Sequence, residues 1–233
     1  MSAGSGGSTD TAVAPLTARL RAAAGVTLSA IRNHPFIVEL GDGSLDRAAF
    51  RFYVVQDGHY LREFSRALTI LADRAPSRAV ATLLAEHAAT TVTVEQSLHA
   101  TLLAEMPSRP ADVADASVAP VTLAYTSYLI ATCATGTLLE GVASMLPCYW
   151  IYCDVGRELR AHSSPDPLYS RWIDTYAGEE FEQAVTQMLE LTDSIGTPRG
   201  DAERQSATDR FVTSARYEWM FWDAAYRQLG WPV

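Results

Sequence analysis

Residues 49–71 read AFRFYVVQDGHYLREFSRALTIL. Taken at steps of three and four, Ala49, Tyr53, Asp57, Tyr60, Phe64, Leu68 and Leu71 fall on one side of a helix, and every member of that stripe except Asp57 is apolar or aromatic. This is the period of an amphipathic α-helix and not the alternation of a strand. The same period recurs along nearly the whole chain and period-two runs are scarce, so the reading is all-α, a compact bundle of about seven helices. The spacing predicts helices over 17–32 (ending at His34-Pro35), 44–73, 77–105, 121–135, 138–162, 168–194 and 207–229. A turn is expected at Gly41-Asp42-Gly43, with Ser44 as the N-cap of the second helix and Asp46 favouring its dipole. A kink is expected at Pro147, which has no N–H to give the preceding turn, and a break at Gly178. Gly230 and Pro232 sit where a helix stop belongs.

The chain has 233 residues, enough for one domain with a sizeable core, which the helical pattern places over 16–233. Residues 1–15, MSAGSGGSTDTAVAP, are Gly/Ser-rich and predict a disordered tail with neither the basic nor the apolar part of a secretion signal. Asp plus Glu number 27 against 18 Lys plus Arg, a net charge of -9. Such a chain repels nucleic acid and anionic membrane surfaces, so neither is expected as a partner. No apolar run approaches the roughly 18–20 residues that span a bilayer. Three cysteines, Cys133, Cys148 and Cys153, make no disulfide framework and suit a reducing compartment, which points to the cytoplasm.

Two acids stand on the wrong side of their helices. Asp57 interrupts the stripe quoted above, and Glu218 sits at the centre of Phe211, Ser214, Glu218, Phe221, Ala225 and Leu229, flanked by Trp219 and Trp222. A carboxyl in a buried stripe costs several kcal/mol unless it is paired or hydrogen-bonded. Each acid is either a bonded structural group or part of a site, and each stands three residues before an aromatic, Tyr60 or Phe221. Acid plus aromatic suits a flat, nitrogen-rich ring, which stacks on one and bonds to the other. Cys148 follows Pro147 at the expected bend and is either an inert core thiol or a nucleophile, which needs a lowered pKa or an adjacent base. Tyr125, Tyr128, Tyr149, Tyr152, Tyr176 and Tyr217 are expected in the core or at a pocket rim. His34 precedes a proline in a turn, and His87 lies beside Glu86. Glu95 and His99 share a helical face and are either a solvated pair or two metal ligands.

Four blocks carry a resemblance. His34-Pro35-Phe36 with Phe52-x-x-x-Gln56-Asp57-x-x-Tyr60-Leu61 is the first, and Leu146-Pro147-Cys148-Tyr149-Trp150-x-Tyr152-x-x-x-Gly156 the second. Tyr169-x-x-Trp172-Ile173-x-x-Tyr176 and Tyr217-Glu218-x-x-Phe221-Trp222 follow in order. Together they resemble the TenA/thiaminase II family, in its cysteine-containing branch, over residues 17–231. The resemblance implies a haem-oxygenase-like helical bundle, a homotetramer, and hydrolysis of an aminopyrimidine without a metal or organic cofactor. It implies that Cys148 is the nucleophile, that Asp57 bonds the amino side of the ring, and that Glu218 is a second acid at the pyrimidine. Tyr60 and Phe221 then lie against the ring, Tyr125 is a pocket tyrosine, and Tyr176 lies close to the thiol. His59 stands where relatives often carry an aromatic residue, which is expected to alter the pocket rim. The small-molecule substrates implied are thiamine and 4-amino-5-aminomethyl-2-methylpyrimidine, either of which gives the hydroxymethylpyrimidine for thiamine salvage. Two other readings stay open. One is a non-enzymatic pyrimidine-binding or regulatory protein. The other is a di-iron or haem oxidase, for which Glu95/His99 is the one candidate ligand pair in the sequence.

Overall fold

The computed structural model describes residues 14–106, 117–162 and 164–233, and of residues 94–100 the backbone alone. Most of the expected tail and most of the expected connection over 106–119 fall outside the described residues. Ten helices and no strand are present among those described. They are α1 (Leu16–Ala23), α2 (Gly25–Arg32), α3 (Pro35–Asp42), α4 (Arg47–Asp73), α5 (Arg78–Ala104), α6 (Pro120–Thr135), α7 (Leu138–Arg160), α8 (Pro167–Tyr176), α9 (Glu179–Gly196) and α10 (Asp201–Tyr226).

The all-α reading holds, and the count rises from about seven to ten for identifiable reasons. The first expected helix divides at Ala24 into α1 and α2. The segment between the expected stop at His34-Pro35 and the expected turn at Gly41-Asp42-Gly43 is helical, and the turn closes it at Gly43, whose φ is 84°. The His34 imidazole accepts the Phe36 N–H at 3.1 Å through Nδ1, Pro35 takes the first helical position, and Phe36 drops into the core. Asp46, not Ser44, caps α4, accepting from the N–H groups of Ala48 and Ala49 at 2.6 and 3.3 Å. Gly178 separates α8 from α9 as expected. α7 runs unbroken through Pro147, held at its start by a capping box between Thr137 and Glu140. α10 begins at Asp201, before its apolar period starts, because Asp201 and Glu203 complement the helix dipole.

One contiguous core takes buried side chains from all ten helices. α4 lies along α5 and α6, while α7 lies against α6, α8, α9 and α10. Gln56 ties α4 to the start of α6: its Nε2 donates to the Ser117 carbonyl at 3.0 Å and its Oε1 accepts the Ala119 N–H at 2.8 Å. A slab of aromatic rings joins the central helices. Tyr53 of α4 stacks on Trp222 of α10 with centroids 5.0 Å apart, and Tyr152 of α7 and Trp172 of α8 close around them. The Trp172 indole donates to the Tyr53 hydroxyl at 3.3 Å. A fully buried ring of this size stabilises by roughly 1.5–3 kcal/mol, so the slab is a large part of the core.

Gly156 fixes how closely α8 approaches α7. A Cβ there would stand 2.8 Å from the Tyr176 carbonyl carbon and 2.9 Å from the Ala177 nitrogen, both backbone atoms that cannot swing aside. On a free helix, Gly→Ala stabilises by about 1 kcal/mol. Here the sign is expected to reverse. Gly156→Ala should destabilise by roughly 1–2 kcal/mol, and about 2–4 °C of melting temperature is lost per kcal/mol. A thermal melt at or above the wild-type temperature would show that the two helices have room to part.

Candidate active site

A cavity of about 350 Å³ lies between α4, α5, α7, α8 and α9. Its inner end is made by Asp57, Tyr152 and Tyr176, which are 2%, 3% and 7% exposed, together with the half-buried Cys148. Its outer end is made by exposed residues of α5 and α9, among them Glu86, Thr90, Glu180 and Gln183. The cavity therefore opens between these two helices. Phe64, Tyr149 and Phe181 form its apolar walls, and the volume is at the low end of the range for small-molecule sites.

Helical spacing places each inner residue. Cys148 and Tyr152 are one turn apart on α7 and so share a face. Tyr176 ends α8, held against α7 by the close approach at Gly156, with its ring 4.9 Å from that of Tyr152 and 4.7 Å from that of Trp172. Asp57 comes from the buried stripe of α4.

Behind Cys148 lies a second buried group, formed by Tyr60, Tyr125, Glu218 and Phe221. The Tyr125 hydroxyl donates to Glu218 Oε1 at 2.8 Å. The Tyr60 ring lies 5.0 Å from Tyr125 and 5.7 Å from Phe221. Its hydroxyl is buried without a hydrogen-bonding partner among the described residues, although it lies near the thiol and the Tyr125 hydroxyl. Burial pushes the Glu218 carboxyl up to about 8, the Tyr125 hydrogen bond opposes that, and the Asp57 carboxyl adds to it. Burial also holds the Cys148 thiol well above its ordinary value, reinforced by Glu218 and Asp57 and opposed by Tyr60. The thiol is therefore neutral at rest, and any activation must accompany the binding of a partner that takes its proton.

All seven residues expected from the sequence come together. Asp57, Cys148 and Tyr176 line the open volume, and Tyr60, Tyr125, Glu218 and Phe221 pack behind the thiol. Cys133 and Cys153 are buried among apolar neighbours as expected, and burial pushes the Cys133 thiol up to about 12. His59 corrects an expectation. It lines a separate surface hollow with Arg62, Arg66 and Leu123, between α4 and α6, and does not reach the rim of this cavity. Sequence reasoning placed Tyr152 only among the tyrosines of the core or a pocket rim and gave His87 and Phe181 no site role. Tyr152 carried a signal in its one-turn spacing from Cys148, whereas His87 and Phe181 arrive from helices with no anomaly in their pattern. No group of three or more His, Cys, Asp or Glu side chains able to hold a metal is gathered among the described residues. The side chains of Glu95 and His99 lie outside what is described. Also among the described residues, no helix is long and apolar enough to cross a membrane.

Residues 21–228 match the TENA/THI-4/PQQC family. An aminopyrimidine aminohydrolase from Bacillus subtilis is 32% identical over 198 residues, which cover 85% of this chain and 84% of that protein. A thiamine biosynthesis multifunctional protein ThiED from Corynebacterium efficiens is 37% identical over 217 residues, covering 93% of this chain but 29% of that larger protein. Among solved structures, a TenA homologue from P. horikoshii OT3 superposes with a TM-score of 0.84 at 30% identity, over 92% of this chain and 99% of the other. A domain with a heme oxygenase-like fold from Shewanella denitrificans, 16% identical, superposes with a TM-score of 0.74 over 93% of this chain and 94% of its own, a likeness of fold alone.

The carboxyl of Glu218 ties stability to pH. Its folded value of about 8 lies above its ordinary 4.5, so the native state keeps a proton that the unfolded chain has lost. Stability is expected to be fullest below pH 4.5 as far as this group is concerned, and to fall as pH rises through 8. Glu218→Gln, which mimics the neutral acid and keeps an acceptor for Tyr125, should remove that fall. The variant should gain on the wild type by on the order of a few kcal/mol between pH 5 and pH 9 in urea denaturation. A constant difference across that range would mean that Glu218 is ionised throughout.

Proposed function

This chain belongs to the TENA/THI-4/PQQC family, and on that premise we propose that it is an aminopyrimidine aminohydrolase of the thiaminase II type. The reaction proposed is release of 4-amino-5-hydroxymethyl-2-methylpyrimidine from 4-amino-5-aminomethyl-2-methylpyrimidine or from thiamine, in thiamine salvage. The observation that carries the reading is a thiol and a carboxyl, Cys148 and Asp57, lining one cavity of small-ring size, with a neutral acid, Glu218, bonded to Tyr125 behind the thiol. The family resemblance adds a homotetramer, and the three cysteines without a disulfide framework suit the cytoplasm.

Direct displacement at the exocyclic carbon is slow, because the leaving group is poor. Covalent addition avoids this. In the proposed course, the Cys148 sulfur bonds to a ring carbon and the ring loses its aromaticity. Glu218, held neutral, gives its proton to the ring nitrogen that gains electrons. The thiol proton passes by way of the Tyr60 and Tyr125 hydroxyls to the same carboxyl, which ends as it began. The electron pair of the 4-amino group then expels the leaving group, the aminomethyl nitrogen departing from its protonated form as ammonia or the thiazolium of thiamine as neutral thiazole, and forms an exocyclic methylene; the proton that the incoming water gives up goes to solvent. Water adds to that carbon, and departure of the thiolate restores the ring, with the protons returning by the same route. Asp57 holds the amino side, Tyr60 and Phe221 bound the plane of the ring, and Tyr176 orients the thiol or the water. The chemistry calls for no metal or organic cofactor.

The neutral resting thiol favours one other reading, a pyrimidine-binding protein without turnover. Chromatographic assay of hydroxymethylpyrimidine from both substrates separates the two. Wild type is expected to form the product, Cys148→Ser to lose at least about 10³-fold in kcat, and Asp57→Asn to lose roughly 10–100-fold in kcat/KM. Full turnover by Cys148→Ser would end the covalent mechanism. Tight product binding with no hydrolysis of either substrate would establish the binding protein instead.

A further inference from the structure

The wall of the cavity contains a connected set of side chains to which the proposed chemistry gives no role. His87 of α5 places Nδ1 3.0 Å from the Tyr149 hydroxyl of α7 and Nε2 3.0 Å from Gln187 Oε1 of α9. A neutral imidazole with its proton on Nε2 satisfies both contacts: Tyr149 donates to Nδ1, and Nε2–H donates to Gln187. Burial lowers the His87 pKa, with the Gln187 bond opposing, which keeps that neutral form. The position of Tyr149 is itself fixed, since its ring packs 5.5 Å from Phe64 and 5.5 Å from His87.

Two features make this set more than wall. First, α5 packs on α4, and α9 packs on α7 and α8, but α5 and α9 are not packed along one another. The His87–Gln187 bond therefore joins two helices across the opening. Second, the set lines the same volume as Asp57, Cys148 and Tyr176, with His87 and Gln187 standing on α5 and α9, the two helices that carry its exposed lining residues. A ring bound with its 4-amino group at Asp57 and a ring carbon at Cys148 shares a cavity of about 350 Å³ with His87 and Gln187, so whatever hangs from its exocyclic carbon competes with them for that volume.

We propose that Gln187, His87 and Tyr149 form a bar across the mouth of the cavity that limits the size of the group a substrate carries on its exocyclic carbon, favouring an amine leaving group over a ring-sized one. The inference rests on the aminopyrimidine reading for its substrates, but the bar itself can be tested without turnover. Neutral hydrogen bonds are individually weak in net terms, so the bar shuts against bulk without sealing the site.

Gln187→Ala removes the outer anchor, while Gln187→Glu keeps an acceptor oxygen at the same reach. In competition assays, Gln187→Ala is expected to raise kcat/KM for thiamine relative to the aminomethylpyrimidine by roughly tenfold, and Gln187→Glu to keep the wild-type ratio. In parallel, Cys148 is alkylated with iodoacetamide and with a fluorescein maleimide, and labelling is assigned to that residue by mass spectrometry. Gln187→Ala should speed the bulky reagent by a similar factor and leave the small one nearly unchanged. An unchanged substrate ratio in an active Gln187→Ala enzyme overturns the bar and leaves the hydrolase reading standing. Wild type that hydrolyses neither substrate overturns the hydrolase reading. The labelling then decides alone: selective acceleration of the bulky reagent upholds the bar, and equal acceleration of both or none removes it.

Discussion

A carboxylic acid kept from water by aromatic rings is the constraint around which this protein is organised. Glu218 is 1% exposed and bonded to Tyr125, and its surroundings favour the protonated form up to about pH 8. That arrangement is costly to fold around, since a buried acid contributes nothing that an apolar side chain of the same shape would not contribute at lower cost. Its retention at the centre of the α10 stripe makes sense as chemistry: a neutral acid in a dry site can give a proton to a weakly basic ring nitrogen at neutral pH.

The remaining structure positions other groups around that acid. α7 supplies Cys148 and Tyr152 from one face and carries Gly156 on the stretch that receives α8, so one helix fixes the thiol and, through a backbone contact, the place of Tyr176. The slab of Tyr53, Tyr152, Trp172 and Trp222 ties α4, α7, α8 and α10 together beneath the site. Groups held this way keep their geometry because moving one ring requires moving its neighbours. The Tyr60 hydroxyl is the exception, buried near the thiol and the Tyr125 hydroxyl without a well-formed hydrogen bond among the described residues. A buried donor left unsatisfied in the resting protein is unfavourable, and this one stands beside the atom proposed to become negative.

The side of the cavity formed by α5 and α9 obeys a looser constraint. Several of its residues are exposed, and α5 and α9 are joined there by the His87–Gln187 hydrogen bond. A rigid end for chemistry and a more yielding end for entry is a division expected of a site that must admit a ligand and then exclude water.

Taken alone, the sequence determined the class of the fold and singled out Asp57, Glu218 and Cys148 as the residues that stand out from their helices. The three-and-four period is a property of local spacing, so it is legible wherever a helix has one buried face, and a charged residue inside that face, as at Asp57 and Glu218, announces itself against an apolar background. Element boundaries were less legible: the His34 imidazole as a cap and the division at Ala24 depend on which backbone donors find partners. Only the tertiary structure decided what surrounds the thiol. Whether Cys148 is activated or held neutral depends on how many polar groups from α4, α6 and α10 reach it through a low-dielectric interior, which no one helix encodes. The mouth was likewise invisible, because His87 and Gln187 fit the ordinary pattern of their own helices and acquire meaning from meeting one another across a gap.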